Sequence, residues 1–197
     1  MGKIYCIMGK SSSGKDSIYQ KIMEYKIPGL KRILPYTTRP VREGEVDGKH
    51  YHFCGKQKMQ ELQKAGRIIE LRTYHTVYGE WNYFTVDDGE LNPAENSYLY
   101  IITLEGYLKI RKYYGKEQVV PIYIEVEDGE RLIRAIMREK QQENPKYEEM
   151  CRRFLADAAD FSVEKLEEAG ITVRFINQNL TDTIQQIITY ITDDMTK

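Results

Sequence analysis

Apolar residues fall in short runs, each followed by a stretch with helical spacing, and this alternation repeats along the chain. "KIYCIM" (3–8) is a continuous β-leaning run closed by Gly9, the pattern of a strand buried on both faces. Residues 15–26 place Ile18, Ile22 and Met23 on one helical face, and Pro28-Gly29 ends that unit. "KQKMQELQKAG" (56–66) predicts a short helix with a Gly stop, and "RIIELRTY" (67–74) a strand. "SYLYIITL" (97–104) and "QVVPIYIEV" (118–126) predict two more strands, followed by helices over 105–114 and 129–141. Asn144-Pro145 breaks the pattern; a long helix over 147–169 then runs to Gly170. A strand, "ITVRFI" (171–176), and a last helix from Thr181 complete the chain. Such alternation predicts an α/β fold with a mainly parallel sheet and helices on both faces.

Composition narrows the class. The chain has 197 residues, enough for one domain with a real core, and 41% hydrophobic against 30% charged residues fits a soluble globular protein. A net charge of -1 argues against bulk nucleic-acid binding, though local basic patches still suit phosphates. The apolar runs are too short to span a bilayer, so no membrane partner is expected. Cys6, Cys54 and Cys151 are scattered and lack metal-ligand spacing, which predicts reduced thiols and a cytoplasmic protein. The N-terminus lacks the long apolar region and cleavage site of a signal peptide.

The first apolar run leads into "GKSSSGKDS", Gly9 to Ser17, close to the phosphate-binding pattern G-x-x-x-x-G-K-[ST]. It lies between a predicted strand and a predicted helix, the context this chemistry requires. Gly9 and Gly14 permit unusual backbone angles, so the N–H groups of Lys10, Ser11, Ser12 and Ser13 can turn toward phosphate oxygens. The helix adds its positive N-terminal end, and Lys15 a point charge for the β- and γ-phosphates. Asp16 stands where a hydroxyl that touches Mg²⁺ is expected, with Ser17 one residue later. A carboxylate is a good hard-oxygen ligand, so Asp16 is the candidate Mg²⁺ ligand. The plain alternative is a Gly/Ser-rich turn that merely starts a helix.

Residues 36–55 lack sustained periodicity and predict a functional loop with short strands. In "YTTRPVREGEVDGKHYHF" (36–53), Arg39, Arg42 and Tyr51 suit a small phosphate dianion, and Glu45 can hold an arginine in place. Alone, the segment also reads as a solvated charged loop. Arg134 and Arg138 lie one helical turn apart, and Arg153 follows the Pro145 break. A helix–break–helix hairpin with inward arginines predicts a lid that surrounds a transferring phosphoryl group and closes over bound nucleotides.

At this point the chain resembles the guanylate kinase family. "TTRPVREGEVDGKHYHF" is similar to the family's S-x-T-T-R-x-x-R-x-G-E-x-[DN]-G-x-x-Y-x-F, "RIIE" and "VYG" to the rest of its acceptor signature, "RLIRAIMRE" with "CRRF" to its lid, and "FINQN" to its late strand end. The resemblance implies a P-loop NTPase-type domain over 1–197. Its core would comprise 1–35, 97–138 and 155–197, with a nucleoside-monophosphate-binding insert over 36–96 and a helical lid over 139–154. It implies ATP-dependent phosphorylation of GMP or dGMP with Mg²⁺, by a monomer or homodimer. It further implies that Arg39, Arg42, Tyr51 and Tyr78 hold the acceptor phosphate with Glu45 in support, that Glu70 accepts from guanine N1–H and its amine, and that Asn177 belongs to the ATP site. Arg134, Arg138 and Arg153 would clamp the phosphoryl group.

The chain departs from the family at Asp16, at Pro35 in place of Ser, and at Glu80 in place of a hydroxyl that donates to guanine O6. Glu80 is therefore expected to turn outward. Ile101 and Thr103 replace two acids. Two other readings stand beside the lead: a kinase for a different nucleoside monophosphate, and a guanylate-kinase-like binding or regulatory protein.

Overall fold

The computed structural model describes residues 2–42, 44–76, 79–89 and 91–196. Five short strands form the central sheet: β1 (Ile4–Met8), β2 (Leu30–Arg32), β7 (Ser97–Ile101), β8 (Val119–Glu125) and β9 (Arg174–Ile176). All pairs are parallel, in the order β2-β7-β1-β8-β9. β1 lies at the centre with every residue buried, which explains its unbroken apolar sequence.

Alternation along β1 divides the core. Ile4, Cys6 and Met8 pack with Tyr98 and Tyr100 against α3 (Leu104–Tyr114) and α6 (Val163–Glu168) through Tyr107, Ile110 and Leu166. Tyr5 and Ile7 face the other way, against Ile18 and Ile22 of α1 (Lys15–Tyr25) and Ile187 and Ile191 of α7 (Leu180–Met195). Burial raises the pKa of the Cys6 thiol, with the charge of Glu70 adding to the effect, so the group stays protonated.

A second sheet lies outside this core. It comprises β3 (Tyr36–Thr37), β4 (His52–Phe53), β5 (Ile68–Thr76) and β6 (Gly79–Val86), in the order β4-β3-β6-β5. With α2 (Lys56–Lys64) it encloses a small core of its own around Met59, Leu62, Phe84 and Val86. β5 and β6 are antiparallel and so are β3 and β6, whereas β3 and β4 run parallel. α4 (Asp128–Lys140) and α5 (Tyr147–Asp160) flank the Pro145 break. No helix among the described residues is long and apolar enough to cross a membrane.

Four elements differ from the sequence expectation. The single helix expected over 147–169 is two helices, because Ser162 leaves helical geometry and its side chain caps α6 by accepting from the Lys165 N–H. The strand expected over 171–176 starts at Arg174. β2 has only three residues, none of them buried. β6 carries Glu80 and Asn82 among its aromatics, which hid its two-residue alternation.

Candidate active site

The phosphate loop emerges from the buried end of β1 and leads into α1. Gly14 has φ of 86° and caps α1, which receives no side-chain cap. A Cβ at Gly14 would lie 2.6 Å from Asn177 Nδ2. Gly9 is needed for space instead: a Cβ there would meet Ile124 O at 2.7 Å and Ser13 Oγ at 2.8 Å. Ser12 takes the left-handed conformation with φ of 62°, a strained choice for a residue with a side chain. The hydroxyls of Ser12 and Ser13 are buried without hydrogen-bond partners among the described residues. Asn177, itself buried, donates from Nδ2 to Ser13 O at 2.8 Å and so props the loop from the end of β9.

Both lysines of this loop are paired with carboxylates. Lys15 Nζ lies 3.5 Å from Asp16 Oδ2, and the Asp16 side chain is 76% exposed. Ser17 is exposed beside it on α1. Lys10 pairs with Asp128 at 3.1 Å. A cleft of about 310 Å³ opens beside Lys10, lined also by Glu125, Asp128, Arg131 and Ile176, at the carboxyl ends of β8 and β9. Ligands of open α/β sheets bind at this end of the strands.

The expected lid arginines separate into two groups. Arg138 and Arg153 line a hollow together with Ser11, Ser12, Met150 and Phe154, and Arg153 Nη2 donates to Ser11 Oγ at 3.4 Å. Arg134 points elsewhere: it pairs with Glu130 and donates to Asn177 O at 3.3 Å. The residue that the sequence did not single out is Arg131, which is 1% exposed. It donates to Ser11 O at 3.0 Å, pairs with Asp128, and lies over the Phe154 ring at 4.6 Å. Asp157, also unforeseen, accepts from the Ser11 N–H at 2.7 Å. The i, i+3 spacing of Asp128 and Arg131 was readable; their contact with the loop was not.

In the second sheet, Arg39 is held by a bidentate pair to Glu45, at 2.7 and 2.9 Å, and its Nε donates to Tyr83 OH at 3.0 Å. The hydrogen bond from Arg39, aided by the Arg42 N–H, lowers the Glu45 pKa to about 2. Tyr51 stands edge-on to Tyr83, and the Arg39 guanidinium lies 5.4 Å from its ring centre. Burial raises the Tyr51 pKa. Arg42 is exposed, with its guanidinium over the Trp81 ring at 5.8 Å. Tyr78 lies outside the described residues.

Glu70 has a side chain with 0% exposure, and its carboxylate is already engaged. Arg72 donates to both of its oxygens, at 2.9 and 3.1 Å, and Thr85 donates to Oε1 at 2.9 Å. Glu80 accepts from Asn82 Nδ2 at 3.2 Å and faces Lys56 at 3.7 Å, which together lower its pKa. Pro35 contributes its carbonyl to the His52 N–H. Thr103 caps α3 by accepting from the Gly106 N–H, and Ile101 packs against the core.

A family model described as guanylate kinase matches residues 1–193. A guanylate kinase of Chromobacterium violaceum is 32% identical over 80 residues, 40% of this chain and 38% of that protein. One of Helicobacter hepaticus is 29% identical over 120 residues, 58% of this chain and 56% of that protein. The chain thus spans little more than half the length of these relatives at most. The crystal structure of guanylate kinase from Anaplasma phagocytophilum superposes on all of this chain and 87% of that one, with a TM-score of 0.64 and 24% identity, which shows a shared fold.

Proposed function

The chain belongs to the guanylate kinase family, and on that footing we propose that it transfers the terminal phosphoryl group of ATP to a nucleoside monophosphate, with GMP or dGMP as the lead acceptor. The observation that carries this reading is the phosphate loop. Its first turn of α1 has no side-chain cap, Gly14 holds the left-handed bend, Lys15 follows, and Arg138 and Arg153 stand over the loop from the expected lid.

In this reaction an acceptor phosphate oxygen attacks the γ-phosphorus of ATP, and the bond to the β-γ bridging oxygen breaks, leaving ADP and a nucleoside diphosphate. The attacking oxygen is already anionic near neutral pH, so no general base is required. That explains how Ile101 and Thr103 can replace acids without removing a chemical step. The work of the protein is placement and charge compensation. Arg39, kept in position by Glu45 and Tyr83, fits the acceptor phosphate; Lys15, Arg138 and Arg153 fit the transferring group.

The donor set at the start of α1 fits Mg²⁺. An exposed Asp16 carboxylate with the Ser17 hydroxyl beside it offers hard oxygens, and Mg²⁺ commonly takes one or two carboxylates together with substrate phosphates. Bound there, the ion would supply charge neutralisation along the phosphate chain. Lys15 already offsets the Asp16 charge, so the carboxylate is tolerable beside a polyanion.

A binding or regulatory role is less favoured, because the chain keeps the Gly9, Gly14 and Lys15 of the phosphate-binding pattern. Nucleotide substrates and reduced thiols fit a cytoplasmic setting. A coupled assay with ATP, Mg²⁺ and each nucleoside monophosphate tests the reading: turnover of at least one is expected, and none with any acceptor would refute it.

A further inference from the structure

The phosphate loop bends at a residue that resists the bend. The Ser13 N–H donates to Lys10 O at 3.2 Å and closes a four-residue turn with Ser11 and Ser12 at its centre. Ser12 takes a φ of 62° there, the left-handed conformation that such turns reserve for glycine or asparagine. Its hydroxyl has no hydrogen-bond partner among the described residues, so the side chain gives the turn no local support. A backbone of this kind persists only where its surroundings impose it.

Both neighbours of Ser12 are gripped. On one side, the Ser11 N–H donates to Asp157 Oδ2 at 2.7 Å, and Ser11 O accepts from Arg131 Nη1 at 3.0 Å. On the other, Ser13 O accepts from Asn177 Nδ2 at 2.8 Å. Arg131 is the most firmly aimed of these partners. It is 1% exposed, and its Nε and Nη2 both donate to Asp128 Oδ1, at 3.0 and 2.7 Å. Its guanidinium lies over the Phe154 ring, and its Nη1 is left to face Ser11 O and, at 3.6 Å, Asp157 Oδ2. Asp128 also holds Lys10, so α4 meets the turn at Lys10 and at Ser11. A planar guanidinium fixed by two of its nitrogens presents the third in one direction, which an ammonium on a flexible stem does not.

We propose that Arg131 is a positioning residue of the donor site: with Asp157 it grips Ser11, holds Ser12 in the left-handed turn and keeps the N–H groups of the loop aimed for the phosphates of ATP. The proposal rests on the reading of this loop as the ATP site, and it requires no contact between Arg131 and the nucleotide. With the grip in place, the loop has its binding form before ATP arrives. Without it, Ser12 relaxes out of the left-handed region and ATP binding must restore the turn. The apparent dissociation constant then rises by the inverse of the fraction of molecules that keep the binding form. The cost of a left-handed residue with a side chain corresponds to a rise of about tenfold.

The test is the dissociation constant of ATP with Mg²⁺, measured by calorimetry on the full chain for the parent, R131M, S12G and R131M/S12G. Glycine adopts the left-handed conformation as readily as the right-handed one, so at position 12 it needs no grip. R131M should weaken ATP about tenfold in the parent background and by less than about threefold in the S12G background. Equal losses in the two backgrounds would overturn the proposal, because an arginine that touches the nucleotide, or that only supports the fold, loses the same in both. Full affinity in R131M would overturn it as well.

R131M leaves Asp128 with Lys10 and Asp157 with the Ser11 N–H, so neither carboxylate loses its last partner. Should R131M nevertheless fail to fold, D157A removes the other grip on Ser11; the same rescue by S12G is expected, and equal losses again count against the proposal. A parent chain that bound no ATP would sink the donor-site reading and the proposal with it, whereas a loss that persists in S12G sinks the proposal alone.

Discussion

Asp157 Oδ2 accepts a hydrogen bond from the Ser11 N–H at 2.7 Å, so a side chain of α5 holds the backbone of the phosphate loop across 146 positions of sequence. Arg131 completes the clasp by donating to Ser11 O and lying 3.6 Å from Asp157. Removing the carboxylate leaves one N–H orphaned and one buried arginine short of a partner. Asp157→Ala should cost about 1–3 kcal/mol of stability. It should also speed amide hydrogen exchange at Ser11 to Ser13. Unaltered exchange there would show that the clasp does not restrain the loop.

Lys15 carries the point charge of the loop, held 3.5 Å from Asp16. Lys15→Ala should lower kcat/KM by about 10³-fold or more, as expected when a contact to the transferring phosphoryl is lost. ATP-dependent turnover within a few-fold of the parent would mean that the site lies elsewhere.

Asp16 points outward with its carboxylate available. Asp16→Asn should raise the Mg²⁺ concentration that gives half-maximal activity, while Asp16→Ser, which supplies a hydroxyl, should retain much of the activity. A titration in which both variants match the parent would exclude Asp16 from the metal site.

Gly14 combines a φ of 86° with a neighbour at 2.6 Å from any Cβ. Gly14→Ala should cost about 1–2 kcal/mol from the left-handed backbone alone. Pressure on Asn177 should also loosen its bond to Ser13 O and weaken ATP binding. Calorimetry with ATP, alongside urea denaturation, reads both effects; normal affinity would argue against Asn177 as the strut.

The Glu45 pKa of about 2 sets a pH dependence. Because the folded value lies below the ordinary 4.5, the pair stabilises the fold fully above that pH and is lost as the pH falls from 4.5 toward 2. Glu45→Gln should therefore destabilise the protein at pH 7, and the difference from the parent should shrink steadily below about pH 4.5. A gap that stayed constant down to pH 3 would show that Glu45 is not the titrating partner of Arg39.

The sequence by itself determined whatever depends on neighbours in the chain. The run 3–8, the glycines at 9 and 14 and the helical spacing of Ile18 and Ile22 specify strand, loop and helix through local sterics and periodicity. The arginine and glutamate at 39 and 45 are close enough to pair through one turn. The tertiary structure decided which charges meet across distance. Arg131 and Asp157 become a clasp only because α4 and α5 fold over the loop, and Arg134 and Arg138, one turn apart, are aimed at different partners by that packing. Glu80 meets Asn82 and Lys56 once β6 is paired. Glu70 is enclosed because β7 brings Tyr100 against β5 while Arg72 lies two positions along the same face. Local sequence sets conformation through a residue's own sterics and hydrogen bonds, whereas burial and charge pairing depend on which surfaces come together, and no spacing in the chain encodes that directly.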